Sequence, residues 1–195
     1  MDERHFAVFL DNEKAGLREE ARTSIRRFVE SFAGLAEKEA WTRKYLPTLR
    51  HGNVVRHELY EHVIFPVLVA GQERRDAWSL YWLAETGQNL FKARHLYERI
   101  GCPPLLDLFK QAYALAPTSD EIRSGLLRDL LRGFEYMAHE WPVGLLYAPH
   151  QPWQAQYDEV IGDIQLAREL DSTGAHAKEI AEFEAKVHTD SMRRR

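Results

Sequence analysis

Apolar positions recur at three- and four-residue steps over most of the chain. From Leu17 to Ala36 one face is marked by Leu17, Ala21, Ile25, Phe28, Val29, Phe32, Leu35 and Ala36, while Arg and Glu fill the remainder. This spacing predicts an amphipathic helix. Trp41 and Tyr45 extend it by a turn, which should end at Leu46 because Pro47 disfavours helical geometry in the residue before it. His51-Gly52-Asn53 reads as a loop. From Val55 through Leu59 and Val63 to Val69 the chain becomes apolar on nearly every side, as in a helix buried mid-domain. Pro66 either kinks that helix or opens a new one, and Gly71-Gln72 is the expected exit.

A short helix follows from Arg75 to Glu85. It carries Trp78, Tyr81 and Trp82, and rings rotated by about 100° per residue cannot all share a face. Gly87 breaks the pattern before Leu90, Ala93, Tyr97 and Ile100 form another stripe, closed by Gly101 as a left-handed cap. Pro103-Pro104 opens the next helix, with Leu105, Leu108, Phe109 and Ala112 inward. Thr118 and Glu121 have capping-box spacing. They introduce the most continuous stripe: Ile122, Leu126, Leu127, Leu130, Leu131, Phe134, Met137 and Ala138, ended by Trp141-Pro142. Residues 143–153 show prolines and no period, hence a loop. Helices are expected over 155–170 and 175–187, and no alternating run supports a strand.

These elements predict an all-α fold, a multi-helix bundle or a short α-solenoid of antiparallel helical hairpins with eight or nine helices. They are expected to form a single domain, 1–195, with a frayed N-terminus and a short basic tail at Arg193-Arg194-Arg195. In its glycine turns and its Trp82-Leu83-Ala84 placement, the stretch from Leu68 to Gly101 resembles the helix-turn-helix hairpins of the TPR and Sel1-type repeat families. The resemblance implies helical-hairpin architecture and assigns no binding residues; no second copy recurs at a fixed period.

Charge narrows the partners. With 30 acidic and 26 basic side chains the formal net charge is -4, which offers no general attraction to nucleic acid or to an anionic membrane. Arg22, Arg26 and Arg27 lie beside Glu19, Glu20 and Glu30 and read as a solvated mixed face. Cys102 is the only cysteine, so no intramolecular disulfide or thiolate metal cluster is expected. The N-terminal segment lacks the features of a secretory signal, and the apolar block Val63 to Ala70 is too short to span roughly 30 Å of hydrocarbon. A cytoplasmic location follows as the expectation.

Candidate chemistry centres on His57-Glu58-Leu59-Tyr60-Glu61-His62. The two histidines are five positions apart, turned by about 140° on an α-helix, so they do not make the zinc-peptidase pair. His57 with Glu61 and Glu58 with His62 do share faces at i to i+4. They read either as ion pairs and polar anchors or as part of a ligand site that another helix completes. Glu135, His139, Glu140 and Trp141 form a second group at a helix end. If the two groups meet, they would enclose a pocket beside Tyr81 and Trp82. Trp78, beside Arg74, Arg75 and Asp76, has the apolar centre and charged rim of a partner-binding hot spot. Cys102 reads as a small buried residue. No nucleophile elbow, phosphate loop or dinucleotide fingerprint occurs, and no cofactor or metal is implied. The expected function is a noncatalytic protein-protein interaction module, adaptor- or inhibitor-like, with a homo-oligomer among the assemblies the sequence leaves open. The alternative is a metal- or small-ligand-binding helical enzyme using the two His-Glu segments.

Overall fold

The computed structural model describes residues 1–49, 55–140 and 153–194. Regular structure among them is helical throughout, in agreement with the expected all-α bundle. The expected loop at His51-Gly52-Asn53, and 143–152 of the longer one, lie outside the described residues. The chain divides into two compact units, Met1–Ala116 and Pro117–Arg195.

The first unit opens with α1 (Glu3–Lys14), a helix that the hydrophobic pattern does not reveal. Asp2 caps its start by accepting the Arg4 amide at 3.1 Å, and Gly16, with φ +75°, closes it. Leu17 N–H then reaches back to the Asn12 carbonyl at 2.9 Å, the signature of a left-handed helix cap. The single helix expected from Leu17 to Ala36 is instead two, α2 (Arg18–Glu30) and α3 (Leu35–Tyr45). Side chains divert the backbone at the junction. Ser31 Oγ donates to the Phe28 carbonyl at 2.7 Å and accepts the Asp2 amide at 2.9 Å, while the Glu37 carboxylate accepts the Ala33 amide at 2.8 Å. The predicted stripe fails at its ends, where Leu17, Leu35 and Ala36 are exposed, although Phe28, Phe32 and Trp41 still meet in one cluster, with centroids 5.0 to 6.1 Å apart. As expected, α3 gives way at Leu46 to a 3₁₀ turn holding Pro47.

The buried segment is α4 (His57–Leu59), a π-helical stretch (Tyr60–Ile64) and α5 (Phe65–Glu73). Pro66 has no N–H to offer the His62 carbonyl a turn earlier, and Lys38 Nζ donates to that oxygen at 2.8 Å instead. Helical backbone runs without a break from His57 to Glu73, so Pro66 is accommodated by a π turn within one helical run rather than by a separate helix start.

The expected exit at Gly71-Gln72 is not used. Gly71 lies inside α5, where an added Cβ would stand 1.9 Å from Ser79 Oγ on α6 (Ala77–Glu85), so its function is close helix contact. The chain turns at Arg75, held at φ +57°. Arg75 N–H bonds the Gln72 carbonyl and Asp76 N–H the Gly71 carbonyl, each at 2.9 Å. A non-glycine residue pays strain in this left-handed position. Arg75→Gly should therefore raise stability by about 0.5–1 kcal/mol, read as a higher melting temperature; a lower one would show that the arginine side chain outweighs the strain.

The stripe from Leu90 to Ile100 also divides, bending at Ala93 into α7 (Gly87–Lys92) and α8 (Arg94–Arg99). These divisions and α1 raise the helix count above the expected eight or nine. Gly101 adopts the expected left-handed cap at φ +81°, and α9 (Leu105–Leu115) follows. Ile25, Phe28, Leu59, Tyr60, Leu83 and Leu108 are wholly buried in this unit.

The second unit packs three helices pairwise: α10 (Asp120–Glu140), α11 (Trp153–Leu170) and α12 (Ala177–Arg194). Ser119, one residue later than the expected Thr118, caps α10 by accepting the Ile122 amide at 3.4 Å. The predicted stripe of α10 faces inward at Ile122, Leu126, Leu130, Phe134 and Met137, against Ile164 of α11 and Ile180, Phe183 and Val187 of α12 in the same core. Arg168 pairs with both oxygens of Glu184. Asp171 staples the α11–α12 turn by accepting the Ala175 and His176 amides at 3.0 and 2.8 Å.

Candidate functional site

The histidine-rich segment is fixed from inside the first unit before any exposed group comes into play. Asn89, buried on α7, donates Nδ2–H to the Val55 carbonyl at 2.7 Å and accepts the Val55 amide at 3.1 Å through Oδ1. Tyr60, in the π stretch, lies 3.2 Å from Thr86 Oγ1. The single Thr86 hydroxyl proton goes to the Trp82 carbonyl at 2.5 Å, so the Tyr60 hydroxyl is the donor to Thr86. Burial pushes that hydroxyl far above the ordinary phenol value and keeps it neutral.

Outside this anchor, Glu61 spreads its carboxylate between two imidazoles. His57 Nε2 lies 2.9 Å from Oε2 and His95 Nε2 lies 3.0 Å from Oε1. The His57–Glu61 pair is the one expected from i to i+4 spacing; His95 of α8 is the partner that the sequence did not reveal. The other expected pair is not formed. Glu58 accepts from Arg56 Nε at 3.0 Å, and Arg56 Nη1 reaches Glu13 at 2.9 Å. Arg56 thus takes the carboxylate that the i to i+4 spacing assigned to His62. His62 is exposed. Each imidazole takes its own carboxylate oxygen, and among the described residues no group of three His, Cys, Asp or Glu side chains is arranged to hold a metal ion.

The hydrogen bond from His95, opposed by burial and aided by the charges of His57, His62 and His95, holds the Glu61 carboxyl below its usual range. A depressed carboxylate contributes stability above its unfolded value, about 4.3, and loses it as pH falls through the lower folded value. Glu61→Gln should accordingly flatten the fall in melting temperature between about pH 5 and pH 3. Parallel pH profiles for the variant and wild type would remove this role.

Tyr81 and Trp82 are buried, Tyr81 edge-on to Phe109 at 5.8 Å and to Trp82 at 5.3 Å. Trp78 is half-buried, with the Arg43 guanidinium 4.5 Å over its ring. The expected rim is tied back to α3: Asp76 pairs with Arg43 at 3.0 Å and Arg74 with Glu39 at 3.4 Å. Cys102 is exposed. It follows the Gly101 cap at φ +51°, so the expectation of a buried cysteine fails because the turn presents it outward.

Of the second His-Glu group, Glu135 joins an open groove of about 520 Å³ on the second unit. Leu127 and Leu131 of α10 form its apolar floor, with Arg128, Arg132 and Glu135 beside them and His176 and Glu179 opposite. His176 Nδ1 stands 3.3 Å from Glu179 Oε2. His139 is exposed, whereas the Glu140 side chain and Trp141 lie outside the described residues. His57, Glu58, Glu61 and His62 belong to the first unit and Glu135 and His139 to the second. The pocket expected if the two groups meet would therefore draw its residues from both units.

Comparison with protein-family models, with curated proteins and with solved structures finds no match to this chain. No helix among the described residues is long and apolar enough to cross a membrane. Fold and surface thus define the chain as an all-α bundle protein with an exposed His-Glu-His cluster on one unit and an open amphipathic groove on the other.

Proposed function

We propose that the chain is a noncatalytic helical binding module whose second unit receives a segment of another protein in the α10–α12 groove. The groove itself supports this reading: Leu127 and Leu131 underlie a rim carrying both signs of charge, Arg128 and Arg132 against Glu135 and Glu179. An apolar centre within a polar rim is the anatomy of a protein interface. The fitting occupant is an amphipathic segment with one apolar anchor and charges of both signs beside it. A single cysteine suits a cytoplasmic setting.

A photo-crosslinking residue in place of the half-buried Leu127 tests the proposal in cells. A discrete protein adduct that disappears on Arg128→Glu/Arg132→Glu substitution is expected. Absence of any protein adduct, or stoichiometric metal or small ligand in the purified chain, would overturn it in favour of the helical-enzyme alternative.

A further inference from the structure

Four arginines of α2 share with Arg75 of the α5–α6 turn the absence of a side-chain partner, and only those of α2 stand together on one helix. Arg4, Arg43, Arg56, Arg74, Arg94 and Arg168 all pair with carboxylates. Arg123 bonds a backbone carbonyl and Arg99 lies over Phe65, and Arg128 and Arg132 have partners of their own. Among the described residues, Arg18, Arg22, Arg26 and Arg27 are exposed and make no ion pair, hydrogen bond or ring contact. The mixed face expected from Glu19, Glu20 and Glu30 is solvated, and those carboxylates form no ion pair with the arginines.

Arg18, Arg22 and Arg26 occupy one row at four-residue steps, along the flank of α2 that leaves Ala21, Ile25 and Phe28 buried. Each step advances about 6 Å along the axis, so the three guanidiniums span about 12 Å. Carboxylates at four-residue spacing on another helix have the same pitch, and a guanidinium matches a carboxylate with two parallel hydrogen bonds. The next position in the row is Glu30, also exposed.

We infer that this row docks an acidic helical segment of a partner protein, with three carboxylates at four-residue spacing and a lysine one step beyond them to meet Glu30. Row order distinguishes this occupant from nucleic acid. A phosphate backbone has no cation with which to answer Glu30, Glu19 and Glu20, and the chain's net charge of -4 repels it as a whole. A protein helix can answer plus-plus-plus-minus with its complement. The inference shares with the groove only the premise of a binding module, because it concerns another unit and another chemistry.

The probe is a capped, alanine-based helical peptide with Glu at three successive four-residue steps and Lys one step beyond each end, so that it fits in either direction. A control peptide of the same composition scatters the glutamates around the helix. Fluorescence anisotropy at low salt, where exposed charges are screened least, should show binding of the ordered peptide. The triple variant Arg18→Gln/Arg22→Gln/Arg26→Gln should weaken it about tenfold or more, with an unchanged circular dichroism spectrum. Arg27→Gln, on another face of α2, should leave it unchanged. Failure of the ordered peptide to bind, equal binding of the control, or preferential binding of a single-stranded oligonucleotide would overturn the inference. The Leu127 crosslink must persist in the triple variant if the groove acts independently, so either reading can fail without the other.

Discussion

Phe134→Asp is expected to unfold the second unit. Phe134 is 2% exposed and stacks on Phe183 with ring centroids 4.5 Å apart and planes 13° from parallel. Removing such a ring from a three-helix core costs about 3–5 kcal/mol from lost packing alone. An uncompensated carboxylate left among Leu130, Ile164 and Val187 adds a desolvation penalty of several kcal/mol more. The sum rivals the whole stability of an ordinary domain, roughly 5–15 kcal/mol. Thermal melting followed by circular dichroism and by hydrogen exchange of α10 to α12 should therefore show those helices lost or exchanging freely at 25 °C. Phe134→Leu is the control, retaining most of the apolar contact at a cost of about 1–2 kcal/mol. Wild-type-like melting of Phe134→Asp would mean that the stripe of α10 faces solvent.

That stripe was legible because burial on one side of a long helix imposes a 3.6-residue rhythm, and α10 runs unbroken from Asp120 to Glu140. The same rhythm misled between Leu17 and Ala36. Phe28, Phe32 and Trp41 converge whether or not the backbone between them is helical, and the break depends on Ser31 and Glu37 meeting backbone amides that are distant or non-periodic in sequence. Gly71 read as an exit because glycine often ends helices, yet here its missing side chain admits Ser79, a contact that only the packing of α5 on α6 creates. At the candidate site, His57 with Glu61 was readable as a local pair. His95 was not, because it arrives from a helix 34 residues away and carries no motif. Glu58 with His62 failed because Arg56, two residues earlier in the chain, takes the Glu58 carboxylate. The unpaired arginine row lay in plain view, but its significance depends on which carboxylates do not reach it.

The second large effect belongs to Asn89→Ala in the first unit. Asn89 is only 4% exposed, and its amide supplies both a donor and an acceptor to the backbone of Val55, itself 3% exposed. In this way it takes the place of a neighbouring strand or helix for a residue that has no regular structure of its own. Alanine would leave the Val55 N–H and C=O buried without partners, at about 1–3 kcal/mol for each orphaned group. A cavity adds to that cost, so a total of about 3–6 kcal/mol is expected. Asn89→Asp should lie between alanine and wild type only while the aspartate is protonated, since a carboxylate can accept from the Val55 amide but cannot donate to its carbonyl. Because Val55 leads directly into His57, loosening it should also free the chain entering the π stretch. Faster amide exchange at Val55 and Leu59, and a weaker effect of Glu61→Gln in the Asn89→Ala background than in wild type, would show that the buried amide positions the His57–Glu61–His95 cluster. Additive losses from the two substitutions would separate them: the amide would then hold the core alone, and the cluster would owe its geometry to the packing of α8.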